Sequence, residues 1–320
     1  MTFPHQDPEF DDLVKLVAAK QRLSPSLVEK DYWVTHTLWA LHNADLDVWF
    51  KGGTSLSKGF SLIQRFSEDV DLKIDPGGAL PQVASWTSQN TGQVAQRREF
   101  FDELSRAIVV PDAEVKRDPE SVDKYERSAV YQVYYPGRFL NALEPPNRPF
   151  IQLEVGNARV APFLVRPLTS FIHEELDGQA LGSSFDENVP KEVRCVHPLV
   201  TLLEKLDAIA RRYDRGSEAA SYIRHYEDAA CIIEAETDLP PLEEGVRELA
   251  AEMIRTRDIK KSCTEDGPCF NLSDDQRRRE LEEAWVAIQH MFWGKRVSLT
   301  AACESICSFL RNLANPDLLE

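Results

Sequence analysis

Two short motifs, in this order, constrain the chain more than anything else in it: Phe50-Lys51-Gly52-Gly53-Thr54-Ser55-Leu56, then Phe66-Ser67-Glu68-Asp69-Val70-Asp71-Leu72. The apolar run at 48–50 predicts a short strand that feeds a Gly-Gly-Thr-Ser turn. A helix is expected from 54 to about 64, then a second strand over 70–74 ending near Pro76-Gly77-Gly78. Alternate residues of a strand share a face, so Asp69 and Asp71 present two carboxylates together. Paired carboxylates suit a hard cation such as Mg²⁺. A glycine turn that opens a helix presents backbone N–H groups, which suit a phosphate. Gly52, Gly53, Thr54 and Ser55 are the candidate cradle, with Lys58 one turn further on and Arg65 just before the carboxylates. A phosphate cradle beside metal-binding carboxylates is what nucleotidyl transfer requires.

Neither motif is specific alone. Gly-Gly pairs make many ordinary turns, and Asp-x-Asp is common at solvated strand ends. The turn is not a P-loop either, because Gly53-Thr54-Ser55-Leu56-Ser57-Lys58 lacks the Gly-x-x-x-x-Gly-Lys-Ser/Thr spacing. The information lies in the order of strand, glycine turn, helix and acidic strand. A third carboxylate from a neighbouring strand usually completes such a set. In Phe150-Ile151-Gln152-Leu153-Glu154-Val155, alternation sends Ile151, Leu153 and Val155 one way and Gln152 and Glu154 the other. Glu154 is therefore the candidate third ligand, or a base. The competing reading is a glutamate facing solvent on an edge strand.

Around this element the chain reads as α+β. Phe10, Leu13, Val14 and Val17 have helical spacing, and Ser24-Pro25 predicts a capped helix running to about 41. Residues 93–108 read as helix; 109–116, 129–135 and 150–155 are β-rich. A small mixed sheet carrying helices follows. After His197-Pro198 the pattern is almost wholly helical. Leu199, Leu202, Leu203, Leu206, Ile209 and Tyr213 mark one face, and Gly216-Ser217 ends that helix. Tyr222, Tyr226, Ala229, Ala230 and Ile233 mark the next, and Asp238-Leu239-Pro240-Pro241 is a connector. Residues 263–273 read as a polar loop, with helices over 274–292 and 299–313. This divides the chain into domains of 1–194 and 195–320.

A net charge of −16 on 320 residues argues against a basic-coated, extended DNA binder. It leaves room for one local basic cleft. Cations concentrate at Lys205, Arg211, Arg212 and Arg224. Asp207–Arg211 and Arg224–Asp228 stand four apart, which fits ordinary exposed helix ion pairs. The functional reading makes Lys205 a triphosphate ligand oriented by Asp207, with the arginines as a cleft wall. The six cysteines are sparse, which suits free thiols in a reducing cytoplasm. Cys263, Cys269, Cys303 and Cys307 lack zinc-ribbon spacing and read as small buried hydrophobes. No apolar run is long enough to span a membrane, and Met1-Thr2-Phe3-Pro4-His5 lacks signal-peptide character.

The strand–turn–helix–strand element resembles the signature of the polymerase-β-like nucleotidyltransferases, with a longer gap between Gly53 and Asp69. Taken with Glu29-Lys30-Asp31-Tyr32-Trp33, Glu204-Lys205-Leu206-Asp207-Ala208-Ile209 and Arg224-His225-Tyr226-Glu227-Asp228, the chain resembles the AbiEii/AbiGii (MenT-like) nucleotidyltransferase toxins of type IV toxin–antitoxin systems. The motifs cover roughly 27–235. The resemblance implies a nucleotidyltransferase domain followed by a helical one, in a bacterial cytoplasmic protein. Some members of that family transfer a nucleotide from an NTP to the 3′ end of tRNA, which stops growth. A nearby gene normally encodes a cognate antitoxin, and phage defence is a family role.

Carried over, Gly53 and Ser55 would cradle phosphate, and Asp69 and Asp71 would hold Mg²⁺, with Mn²⁺ as the alternative. Lys205 would grip the triphosphate, and Asp207 belongs to the second motif. Arg224 and Asp228 match the last motif, where Glu227 replaces a frequent tyrosine. Alternative acceptors are a protein hydroxyl or a small molecule. The alternative class is a non-catalytic NTP- or RNA-binding module, which the presence of Asp69, Asp71 and Glu154 disfavours.

Overall fold

A computed structural model of the chain describes residues 1–44, 46–65, 67, 69–76, 78, 80–143, 148–260, 262–294 and 296–314. Phe66, Glu68 and Gly77 of the motifs quoted above lie outside these. The chain forms two compact units, one of Met1–Phe60 with Phe66–Cys195 and one of Ser61–Arg65 with Val196–Glu320.

The first unit opens with α1 (Phe10–Gln21) and α2 (Pro25–Asn43), followed by β1 (Asp47–Lys51), α3 (Gly52–Lys58) and β2 (Asp69–Asp75). Then come α4 (Thr91–Ala107), β3 (Glu114–Arg117), β4 (Ser128–Tyr134), β5 (Ile151–Gly156), β6 (Phe163–Arg166), α5 (Phe171–Gly178) and β7 (Val193–Val196). The strands make one seven-stranded mixed sheet in the order β3-β4-β5-β2-β1-β7-β6. Central β2 runs antiparallel to β1 and parallel to β5. This is the mixed α/β architecture of a nucleotidyltransferase fold, with a sheet larger than expected.

Period-two alternation splits the sheet into two unlike faces. Val70, Leu72 and Ile74 of β2, Ile151, Leu153 and Val155 of β5, and Ala129, Tyr131 and Val133 of β4 are all buried in one core. That core continues into Phe100, Phe101 and Leu104 of α4 and into Tyr32 and Trp33 of α2. Full burial of such side chains is worth roughly 1.5–3 kcal/mol each. The opposite face carries Asp69, Asp71, Gln152 and Glu154, all half-buried.

Helix α2 is buried on nearly every side, although it carries Glu29, Lys30 and Asp31. Each of these is satisfied. The Glu29 carboxylate accepts from the backbone N of Arg138 and Phe139 at 2.8 and 3.0 Å. Lys30 Nζ donates to the Arg148 carbonyl at 2.9 Å, and Asp31 pairs with Lys58 Nζ at 2.5 Å. Buried charge is tolerated only with partners of this kind. The cap expected at Ser24 is present, its hydroxyl accepting from Leu27 N at 3.3 Å.

The second unit holds α6 (Pro198–Asp214), α7 (Arg224–Glu234), α8 (Gly245–Thr256), α9 (Pro268–Asn271), α10 (Asp275–Ala287) and α11 (Leu299–Ala314). α7 packs against both α6 and α11. Leu202 and Ile209 of α6, Ala229 and Ile232 of α7, and Ala302 and Ile306 of α11 are fully buried, as helical periodicity requires.

Several expected elements differ. The helix read over 54–64 stops at Lys58, because Gly59 ends it and Ser61 takes a left-handed φ of 54°. Past that end Ile63 is buried, and its segment counts with the second unit. Of the β-rich run at 109–116 only Glu114–Arg117 is strand, since Asp112 turns the chain at φ 59°. The polar loop at 263–273 contains α9, which buries Cys269 and Phe270. The helix read over 274–292 ends at Ala287 and continues as a 3₁₀ turn, Gln289–Met291. The sequence pattern does not mark β6, β7, α5 and α8 individually. For α5 a signal existed: Ser170 caps it, accepting from His173 N at 3.3 Å.

Candidate active site

The glycine turn and the acidic strand meet at one contact. Gly52 has φ +72°, and a Cβ built on it would lie 1.8 Å from Asp71 Oδ2. Only glycine lets the Asp71 carboxylate rest against this backbone. Thr54 Oγ1 donates to the Asp69 carbonyl at 2.7 Å, so its hydroxyl fastens β2 to α3. Ser55 is 1% exposed, and its hydroxyl has no oxygen or nitrogen partner among the described residues. Gly53 is buried as well.

Register builds the acidic row. Lys51 of β1 stands opposite Asp71, which stands opposite Glu154 of β5. Asp69 stands opposite Gln152 in the same parallel pairing. Neighbouring strands lie about 4.8 Å apart, so Asp71 and Glu154 are direct neighbours on one face. A cleft of about 320 Å³ opens there, lined by Lys51, Asp71, Ser121, Ser128, Gln152 and Glu154. A larger cavity of about 510 Å³ lies in the second unit. It is walled by Ile233, Val246, Phe309 and Leu313 and holds none of the motif residues.

The donor set fits a hard divalent cation. All three candidates offer oxygen, two stand in register, and Asp69 Oδ1 is a buried acceptor without a hydrogen bond. Two contacts hold the set in another arrangement. Gln152 Nε2 donates to Glu154 Oε1 at 2.8 Å, and Arg148 Nη1 stands 3.6 Å from Asp69 Oδ1. Among the described residues, no three ligating groups converge as they would around a metal.

Lys58, expected beside the cradle, turns inward instead. Besides Asp31, its Nζ donates to Thr35 Oγ1 at 2.9 Å and to the Thr169 carbonyl at 2.8 Å. These bonds stitch α3 to α2, and a buried ammonium with three partners has no donor left for the polar face.

A second cluster lies within the second unit. Arg65 reaches Asp228 with two bonds, Nε to Oδ1 at 2.8 Å and Nη2 to Oδ2 at 2.7 Å. Lys205 Nζ donates to Asp228 Oδ2 at 2.7 Å. Asp228 is fully buried. Burial alone would raise its pKa, but the Arg65 and Lys205 charges outweigh it and hold the carboxyl far below the usual range. The Arg224–Asp228 helix pair expected from spacing is replaced by this triad. The reason is that Asp228 lies on the inward stripe of α7 with Ala229 and Ile232. The Asp207–Arg211 pair does form, at 2.6 Å, and Asp207 also accepts from Lys260 N at 3.0 Å. Burial, then the charges of Arg224 and Arg211, hold the Arg212 guanidinium below its ordinary pKa. These three arginines therefore form a concentrated positive region. His225 is half-buried, and desolvation first, then the Lys205 charge, hold its pKa well below the ordinary histidine value.

Sequence reasoning missed Lys51 and Arg148, and it placed Gln152 beside Glu154 without assigning it a role. Lys51 was findable, because it stands opposite Asp71 on the same face. Arg148 lies outside any regular element and left no pattern.

No curated protein matches the chain. Among solved structures it is similar to JHP933 from Helicobacter pylori, at 13% identity over 89% of this chain and 94% of that one, with a TM-score of 0.33. The family model for the nucleotidyl transferase AbiEii toxin of type IV toxin–antitoxin systems matches residues 37–300. That span covers most of the chain and takes in the glycine turn, the acidic row and the Arg65–Lys205–Asp228 triad. The chain belongs to the AbiEii nucleotidyl transferase toxin family.

Proposed function

We propose that this toxin-family transferase moves a nucleoside monophosphate from an NTP to the 3′ end of tRNA and so blocks translation. The observation that carries the reading is the acidic row, Asp71 in register with Glu154 and packed on the Gly52 turn, with Asp69 on the same face. Asp69, Asp71 and Glu154 would hold Mg²⁺ or Mn²⁺, which supplies charge neutralisation for the phosphate and a more acidic attacking hydroxyl. Glu154 would serve as the base for that hydroxyl, or as a ligand through which the cation lowers the hydroxyl's pKa. The Gly52-Gly53 turn offers backbone N–H groups to phosphate. Lys205 is the proposed triphosphate ligand, positioned by Asp228 together with Arg65.

A polyanionic acceptor is favoured by the three crowded arginines, Arg211, Arg212 and Arg224, in a chain of net charge −16. Type IV membership implies an antitoxin partner. All six cysteines are free thiols, which supports a reducing cytoplasm. No helix among the described residues is long and apolar enough to cross a membrane.

The test is to incubate the full chain with Mg²⁺, total bacterial tRNA and each α-³²P-labelled NTP, beside Asp69→Ala. Label on tRNA that disappears in the variant is the expected outcome, and tRNA binding should fall steeply with salt. An Asp69→Ala protein that labels normally would sink the assignment. Label on protein or on a small molecule would move the acceptor to those classes.

A further inference from the structure

The carboxylates of the polar face already have a cation among them. Arg148 Nη1 stands 3.6 Å from Asp69 Oδ1 and also hydrogen-bonds Gln152 Oε1. Gln152 in turn donates to Glu154 Oε1 at 2.8 Å. One guanidinium is thus linked to two of the three carboxylates, directly to Asp69 and through one amide to Glu154. Its backbone is fixed, because buried Lys30 donates to the Arg148 carbonyl at 2.9 Å. Its side chain is 42% exposed and can change partner. The contact with Asp69 is ionic only, for Asp69 Oδ1 makes no hydrogen bond.

We propose that Arg148 is a nucleotide-phosphate ligand held in reserve by the carboxylates. This deepens, and rests on, the nucleotidyl-transfer reading above. Without a divalent cation, Arg148 neutralises Asp69 and keeps Glu154 turned to Gln152. A divalent cation and a guanidinium repel each other and compete for the same carboxylate oxygens. Cation binding at Asp69 therefore frees Arg148. A guanidinium fork fits phosphate as well as it fits carboxylate, so a triphosphate arriving with the cation offers the freed side chain a matching partner. Lys30 explains why the exchange is local: the side chain swings while the backbone stays in place.

The test uses two binding measurements on the full chain, without turnover. Mn²⁺ is titrated by electron paramagnetic resonance in the absence of nucleotide. Each NTP is then titrated by equilibrium dialysis at saturating Mn²⁺, for wild type, Arg148→Gln and Arg148→Lys. For Arg148→Gln, Mn²⁺ should bind about two- to fivefold more tightly, as expected on removing one half-exposed competing charge. The NTP should bind at least about tenfold more weakly, as expected on losing a charge-assisted bond. Arg148→Lys keeps the charge without the fork and should fall between the two for both ligands. A merely structural arginine would move both affinities the same way or neither.

Unchanged or weaker Mn²⁺ binding in Arg148→Gln overturns the proposal, and so does unchanged NTP binding. If those results come with a wild type that labels and an Asp69→Ala variant that does not, the function stands and only Arg148's part falls. If wild type binds no Mn²⁺ and Asp69→Ala labels normally, both fall together.

Discussion

Gly52→Ala separates the two reasons why glycine stands at that position. The first is backbone: at φ +72° an alanine costs about 1–2 kcal/mol relative to its preferred regions. The second is contact. The new methyl would sit 1.8 Å from Asp71 Oδ2, 2.7 Å from Cγ and 3.0 Å from Cβ. The carboxylate must rotate away, at about 0.5–1.5 kcal/mol if it leaves its rotamer well. The sum is about 1.5–3.5 kcal/mol, read by urea unfolding followed by circular dichroism. In an Asp71→Ala background the Oδ2 and Cγ atoms are gone, and mainly the backbone term remains. The same substitution should then cost about 1–2 kcal/mol, leaving a coupling of about 1 kcal/mol between the two positions. Nucleotide labelling by Gly52→Ala should drop as far as in Asp71→Ala, since the first displaces and the second removes the same carboxylate. Equal costs in the two backgrounds, or wild-type labelling by Gly52→Ala, would refute the argument that the turn exists to seat Asp71.

Asp228→Asn leaves Arg65 and Lys205 with a neutral partner in a buried site, and the second unit should lose about 3–5 kcal/mol by urea unfolding. A loss under about 1 kcal/mol would mean that water reaches the triad. The first unit should weaken in mild acid through His36. This ring is held neutral between Pro111 O at 3.1 Å, which accepts from Nε2, and Asn188 Nδ2 at 3.0 Å, which donates to Nδ1. Burial lowers its pKa to about 4, and burial also lowers those of His5 and His173. The folded pKa is depressed, so the unfolded chain binds the extra proton first as pH falls. The stabilisation is present above about pH 6.5, is lost between about 6.5 and 4, and levels off below. His36 alone accounts for about 3 kcal/mol. Unfolding free energies that stay flat from pH 7.5 to 5 would refute this.

Local patterns were legible where local physics decides the outcome. Ser24 caps α2, strand alternation places Asp69, Asp71 and Glu154 on one face, and the stripe of Leu199, Leu202 and Leu206 is buried in α6. The misreadings came where distant residues decide. Lys58 looks like a phosphate ligand by spacing but is claimed by Asp31 and Thr169. The helix expected to run to about 64 stops at Lys58, because the segment Ser61–Arg65 belongs with the other unit. Asp228 matches Arg224 at helical spacing and is taken by Arg65 instead. Arg148 belongs to no periodic element, so its place beside Asp69 depends on where Lys30 holds its carbonyl.

The excursion of Ser61–Arg65 into the second unit has a consequence for how this toxin is made and inherited. Arg65 and Asp228 are 163 residues apart. At about 5–20 residues per second, roughly ten to thirty seconds of translation separate them. For that interval the guanidinium must wait in water for a carboxylate that the ribosome has not yet delivered. A gene fragment beginning at Val196 would encode Asp228 and Lys205 without the arginine that completes them. Recombination that exchanges the helical half between relatives therefore imports an anion whose partner is written in the other half of the gene, so the two halves must drift together.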